Sequence, residues 1–511
     1  MTYRPRTAPR AHQLEALRRM RSKPQHPTSA DVFALLMEMG TGKSKVIVDE
    51  FGERATSRDL CDLLIIAPAG SYMNWVHDRG EDDPSELRKH LSEELFDRCA
   101  MIEWRSGGLN SERRYKLERF LSTDRPRVLS INVEALSTVQ ACEQVVRLFL
   151  ERGRTLMVID ESTKIKNGDA IRTGVINHVL GPLAPARRIL TGLVTPNSPM
   201  DLYSQFSFLD WRILGFRDYY PFRARYAVMR HVELSPHHPQ AGKNRGRGPL
   251  TIVNYKNLDE LYGKIEPYSY RVLKEECLDL PKKQYVIRDV EWHPEQRRVY
   301  LEMREFAIAV LSAESRVTAN MVLHQRLRLN QILCGFTTDD DGVERPIPER
   351  RSDALMDILY EAQGKVTIWT SHDYCIRALG EKISKKFGPQ SVARFWGGNR
   401  NTRHLDEARY KRDPACQFML ATQSAGGMGN TWTMAGTNVY YNNSDKLDDR
   451  LQSEDRTHRD GLVGEYGAGF ALYIDLVCES STDMKKLRAL RSKLNIASLI
   501  QGDGYREWLI D

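Results

Sequence analysis

Short apolar runs alternate along the chain with longer stretches in which apolar residues return every three or four positions. Strand-like and helix-like periods in alternation predict an open parallel sheet with helices on its faces, an α/β fold. The pattern occurs twice. In the first half the predicted strands are 32–37, 63–67, 127–133, 155–159 and 188–190; in the second they are 365–370, 391–395, 417–422, 438–441 and 471–477. Near the end, Met484, Leu487, Leu490 and Leu494 share one face of a predicted helix whose other positions are mostly Lys and Arg.

Between the two halves, residues 230–250 are rich in Pro, Gly, His and cations and have no apolar period, which predicts an exposed insertion or linker. The chain therefore divides into a first domain over 1–228, a linker with a basic loop over 229–285, and a second domain over 286–511 that includes the C-terminal helix. Arg230, Lys243, Arg245 and Arg247 face only Glu233 there, a balance that suits either a nucleic-acid backbone or a solvated loop.

A length of 511 residues with 41% apolar and 28% charged side chains allows several buried cores and excludes a small stapled scaffold. The net charge of +7 leans only mildly towards polyanions. It is uneven, since Arg4, Arg6, Arg10, Arg18, Arg19, Arg21 and Lys23 meet only Glu15 in the first thirty residues. Eight scattered cysteines without a CxxC pair predict neither a zinc site nor a disulfide framework, and suit a reducing cytoplasm. The N-terminal stretch has no apolar core of a signal peptide and no run is long enough to span a bilayer, so neither export nor membrane insertion is expected.

The sharpest chemical signal is Met37-Glu38-Met39-Gly40-Thr41-Gly42-Lys43-Ser44, placed after a predicted strand and before a helix-compatible run. Such a loop lets backbone N–H groups of Met39 to Ser44 converge on phosphate at a helix N-terminus. Lys43 would reach the terminal phosphates and Ser44 would ligate Mg²⁺, although Met37 stands where the strict pattern has its first glycine. The apolar run 155–159 ends in Asp160-Glu161; Asp160 would hold Mg²⁺ and Glu161 would orient and polarise an attacking water.

In their order, these motifs resemble a superfamily 2 helicase motor, and within it the Swi/Snf-type DNA translocases. MEMGTGKS is similar to that family's glycine loop, VIDESTKIKN to its DEAH box, and LTGLVTPNSPMDLYSQFSFL to motif III and the helix after it. Arg271 to Lys274 with Leu278 to Lys283 resemble the stretch entering the second core domain; Gln423 to Gly429 resemble motif V and Gln452 to Gly461 motif VI. The resemblance covers about residues 8 to 482. It implies two RecA-like (P-loop NTPase) domains with ATP in the cleft between them. Gln13 matches the glutamine that reads adenine, Arg456 and Arg459 match the arginines that reach the phosphates, and Thr191, Gly427 and Gln452 match coupling positions. Nucleic-acid contacts map to Pro68, Ser71, Trp75, Asn132, Thr370, Ser371 and Thr422, with packing the stronger alternative for Trp75.

Three departures stand out: Ser162-Thr163 in place of Ala-His, Leu193-Val194 in place of Thr-Pro, and Asp460-Gly461-Leu462 at the end of motif VI. The implied function is an ATP- and Mg²⁺-dependent motor on duplex or branched DNA, monomeric and cytoplasmic, similar to compact forms from phages and bacteria that serve repair or recombination. The alternatives are a strand-separating DNA or RNA helicase, the ATPase of a restriction or defence complex, and a non-hydrolysing nucleic-acid-binding protein on a degenerate helicase frame.

Overall fold

Runs such as DLLIIA and TLMVID are buried along nearly their whole length, as strands of a parallel sheet covered on both faces must be. The computed structural model describes the chain apart from residues 1–2, 23–30, 79–83, 106–109, 139, 193–194, 196–197, 234–246, 314–318, 340, 427–429 and 501–511. In chain order the strands are β1 (Asp31–Met37), β2 (Asp62–Ala67), β3 (Ala100–Trp104), β4 (Arg127–Asn132), β5 (Thr155–Asp160), β6 (Ala186–Leu190), β7 (Ala227–Glu233), β8 (Arg247–Tyr255) and β9 (Ser269–Val272). They continue as β10 (Lys283–Val290), β11 (Phe336–Thr338), β12 (Glu344–Pro346), β13 (Lys365–Thr370), β14 (Val392–Phe395), β15 (Phe418–Thr422), β16 (Ala435–Tyr440) and β17 (Ala471–Cys478).

Two parallel sheets organise the chain. The first has the order β3-β4-β2-β5-β6-β1-β9 and the second β10-β17-β16-β13-β15-β14. Each lies in its own unit: of the described residues, those within 1–228, 253–278 and 495–511 form one, and those within 229–252 and 279–494 the other. All ten predicted strands are present. The stretch 229–285 is not a bare linker, because β9 pairs with β1 in the first sheet and β10 pairs with β17 in the second. Its Pro/Gly-rich middle is flanked by β7 and β8, which pair with each other; the β-branched run Thr251-Ile252-Val253 supplies the strand preference that the flanking Gly and Pro obscure.

In the first unit, the fully buried Arg188 on β6 donates to Asp31 at the start of β1 (3.1 Å) and to Glu50 on the helix Lys43–Ser57 (3.1 Å). A buried cation with two carboxylates thus fixes that helix, α2 after the N-terminal helix α1 (Ala11–Arg21), against the sheet it follows. The basic N-terminal stretch is largely paired internally: Arg18 and Arg19 with Glu15, Arg21 with Glu53 and Arg6 with Glu93. Lys23 lies outside the described residues. Six of the eight cysteines are buried, and no helix among the described residues is long and apolar enough to cross a membrane.

Candidate active site

Parallel strands place their chemistry at their carboxyl ends, and in the first sheet β1, β6 and β5 are consecutive neighbours. Asp160 at the end of β5 pairs in register with Leu190 on β6, and Leu35 of β1 pairs with the same residue from the other side. The glycine loop after β1, the Asp160-Glu161 pair after β5 and Thr191-Gly192 after β6 are therefore brought to one edge.

The loop turns because Gly40 and Gly42 take φ of 81° and 86°, the left-handed region that glycine enters freely. Thr41 Oγ1 donates to the Glu38 carbonyl (2.6 Å), and Lys43 Nζ donates to the carbonyls of Met37 (2.9 Å) and Glu38 (3.3 Å). Lys43 and Ser44 are the first residues of α2, a 15-residue helix, so Ser44 and the N–H groups around it sit at its positive end. Gln13 and His12 both reach the Thr41 carbonyl, at 3.3 and 2.8 Å, while Gln13 Oε1 accepts from the Arg10 N–H (2.9 Å). Gln13 thus braces the loop from behind; His12 is a brace that the motif pattern does not single out.

A methyl group on Gly42 would lie 2.1 Å from Gln13 Nε2, at a φ no larger residue adopts without strain. Gly42→Ala is expected to weaken nucleotide binding at least about tenfold, since strain of 1–3 kcal/mol at one residue already accounts for such a factor. Titration with a fluorescent ADP analogue checks it.

Burial raises the Asp160 pKa, opposed by a hydrogen bond from Trp75 and by the nearby positive charge of Lys43. Asp160 Oδ2 accepts from Trp75 Nε1 (3.1 Å) and Oδ1 from the Glu161 N–H (3.0 Å). Glu161 adopts φ 50° and ψ 61°, a left-handed conformation that costs a non-glycine residue on the order of 1 kcal/mol or more. Ser162 donates to Gln205 (2.6 Å), and Gln205 donates to the Asp201 carbonyl (2.8 Å), so the Ser-Thr variant of the box is anchored to the helix Leu202–Leu214.

Thr191 is buried, and its N–H bonds the Leu35 carbonyl (3.1 Å); an added carbon on Gly192 would meet the Met39 N–H at 3.2 Å. Motif III therefore lies directly on the glycine loop. Arg271 on β9 donates to the carbonyls of Leu36 (2.9 Å) and Gly192 (3.1 Å), and Glu38 accepts from the Lys274 N–H (2.8 Å). These two residues belong to the site's frame, yet only the closing of β9 against β1 brings them there.

A glycine-turned loop at a long helix, a lysine within it and a carboxylate beside that lysine fit a nucleoside triphosphate with Mg²⁺. Lys43 and the loop N–H groups would hold phosphate, with Ser44 and Asp160 as the metal ligands.

In the second unit, the helix Leu447–Asp455 ends before Arg456, so Gln452, Arg456 and Arg459 do not share one continuous helical face. Gln452 is half-buried on that helix. Arg456 is buried and donates to the Asn430 carbonyl (2.9 Å); Arg459, half-buried, donates to Thr431 Oγ1 (2.9 Å) and the Asp455 carbonyl (3.1 Å). Gly427 lies outside the described residues.

The expected nucleic-acid contacts divide. Ser71 and Asn132 are half-buried at the carboxyl edge after β2 and at the end of β4, and Ser371 is half-buried after β13. Pro68, Trp75, Thr370 and Thr422 are buried: Thr370 donates to Asn442 (2.8 Å), and the Pro68 carbonyl accepts from the N–H groups of Ser71 and Tyr72. Trp75 is 1% exposed, and its only polar atom is engaged with Asp160. An apolar ring at the foot of a buried sheet packs before it can meet a solvent-borne ligand.

Residues 12–337 match the family described as the SNF2-related domain. Over 433 residues the chain is 24% identical to an uncharacterized ATP-dependent helicase of Mycoplasma genitalium, covering 83% of this chain and 36% of that one. It is 22% identical over 398 residues to the TATA-binding protein-associated factor MOT1 of Saccharomyces cerevisiae, covering 67% of this chain and 20% of that one. The chain thus spans about a third or less of the length of these relatives. Among solved structures, it is similar to the Sulfolobus solfataricus SWI2/SNF2 ATPase core in complex with dsDNA, with a TM-score of 0.40 at 20% identity over 98% of this chain and 95% of that one.

Proposed function

The chain belongs to the SNF2-related domain family, and from that membership we propose that it is an ATP-dependent motor that moves along duplex or branched DNA and remodels it. The observation that carries the proposal is the convergence of Lys43, Asp160 and Glu161 at one edge of the first sheet. Relatives named as ATP-dependent helicases support the nucleic-acid track.

In this reading Lys43 and the loop N–H groups bind the phosphates, and Ser44 and Asp160 hold the metal. Mg²⁺ supplies charge neutralisation of the transferring phosphoryl group. Glu161 orients the attacking water and accepts its proton. Gln13 lies behind the loop, where a side-chain amide also suits an adenine edge. Arg456 and Arg459 provide the cations for charge that develops only in the transition state, a kind of contribution worth about 10³–10⁵ in rate. Thr191, Gly427 and Gln452 couple hydrolysis to movement, and Ser71, Asn132 and Ser371 meet the phosphate backbone, which suits a motor that steps over any sequence. The chain acts as a monomer.

Steady-state ATP hydrolysis without nucleic acid, then with duplex DNA, single-stranded DNA, a branched junction and RNA, tests the reading. Duplex or branched DNA is expected to stimulate turnover about tenfold or more, with an affinity that falls steeply with salt as counterions are released. Stimulation chiefly by single strands or RNA would instead support a strand-separating helicase. No lysine-dependent hydrolysis with any of them would support a binding protein.

A further inference from the structure

Trp75 sits in a short 3₁₀ turn, Tyr72–Trp75, that begins five residues after β2 ends. That turn is fixed at three points. The Pro68 carbonyl accepts from Ser71 (2.9 Å) and Tyr72 (3.0 Å), and the Tyr72 carbonyl accepts from the buried hydroxyl of Ser130 on β4 (2.6 Å). Trp75 itself packs into the core formed by β1, β2 and α2.

An indole has one donor and no acceptor, so a buried tryptophan needs one well-placed partner. For Trp75 that partner is Asp160 Oδ2, at 3.1 Å. Phenylalanine would serve packing alone; only an N–H can orient the carboxylate. Oδ1 is aligned at the same time by the Glu161 N–H, so each oxygen of Asp160 has one direction fixed and keeps a lone pair for a further partner. Partners behind a liganding carboxylate commonly set its affinity for metal, and losing one costs about 10–100-fold.

We infer that Trp75 is a positioning residue that holds Asp160 in its metal-binding orientation and ties that carboxylate to the turn carrying Ser71. The inference rests on the reading of Ser44 and Asp160 as metal ligands. Its consequence is mechanical: a displacement of the Ser71 turn by a bound backbone reaches the nucleotide site through one hydrogen bond and a rigid ring. The link explains why a residue expected to touch the track lies inside the protein.

The test is equilibrium binding of a fluorescent methylanthraniloyl-ADP as Mg²⁺ is raised from zero, with no nucleic acid present. In Trp75→Phe the Mg²⁺ concentration for half of the metal-dependent gain in affinity should rise about tenfold, while affinity in EDTA stays within about twofold. Since the phenyl ring leaves space behind it, benzothienylalanine placed at position 75 serves as the second variant: it keeps the bicyclic shape and lacks the N–H. The same tenfold shift is expected of it. A midpoint within twofold of the unaltered protein in the benzothienylalanine variant would overturn the inference, as would an equal loss of affinity with and without Mg²⁺. An unaltered protein whose ADP affinity ignores Mg²⁺ would overturn the metal-site reading itself, a result distinct from either.

Discussion

Replacing Glu161 by glutamine is expected to lower ATP turnover by at least about 100-fold while leaving nucleotide affinity within about threefold, because positioned proton acceptors contribute about 10²–10⁴ in rate and little to ground-state binding. The substitution isolates charge. Glutamine has the same shape and accepts the same left-handed backbone cost that Glu161 already bears at φ 50°. Lys43→Ala should behave differently, losing both turnover and affinity, since Lys43 would contact phosphate in the ground state as well. Steady-state hydrolysis with duplex DNA, paired with ADP-analogue titration, separates the two effects. Near-normal hydrolysis in Glu161→Gln would remove Glu161 from the chemistry; a matching fall in affinity would make it a structural residue of the β5 end.

The local signals were legible where the sequence pattern and the tertiary environment agree. Strands β1, β2 and β5 read directly because burial on both faces demands mostly apolar runs, and β4 and β6 read from shorter apolar stretches beside their buried arginines. Three of the four edge strands did not. β3 carries Glu103 and is only partly buried, and β10 carries Lys283, Gln284, Arg288 and Asp289 and is exposed over much of its length, so neither shows the apolar run of a central strand. β9 is four residues, too short for a period to emerge. Through β9 the chain returns to the first sheet after leaving it, which no local break in the pattern announces.

The same distinction holds within the site. Gly42, Lys43, Asp160 and Glu161 are contiguous motifs whose strand-loop-helix context is local. His12 meets the Thr41 carbonyl of the glycine loop from 29 residues away, and Arg271 meets the Leu36 carbonyl at the end of β1 from 235 residues away, contacts that only helix packing and strand order create. Trp75 shows the limit most clearly. Its neighbours in sequence point to the track, whereas its burial and its partner 85 residues on point to the nucleotide.

The second unit should depend steeply on one buried charge network behind the segment that carries Arg456 and Arg459. Arg450 donates to Asp475 (2.6 and 3.1 Å), to Glu454 (2.7 Å) and to Asn443 (2.8 Å), and its guanidinium lies 3.4 Å from the Tyr440 ring. Glu454 also accepts from Lys283 (2.7 Å) and Tyr285 (2.8 Å) on β10. Arg450→Met would leave two buried carboxylates with too few donors, a loss of about 3–5 kcal/mol that urea unfolding followed by far-UV circular dichroism can measure. Acid should act on the same network. Burial pushes the Glu454 carboxyl up, but Lys283 and Arg450 outweigh it and hold it at about 2, below its usual 4.5. A carboxylate held low in the folded state contributes stability in full above its unfolded value and loses it as pH falls towards the folded one. Stability should therefore drop between about pH 4.5 and pH 2, and Glu454→Gln should flatten that slope while lowering the plateau at neutral pH. An unchanged slope would assign the acid sensitivity to other carboxylates. Because the helix Leu447–Asp455 leads straight into Arg456, loosening its base should also release the arginines that the proposed mechanism needs held in place, so turnover in Arg450→Met is expected to fall further than its remaining folded fraction accounts for.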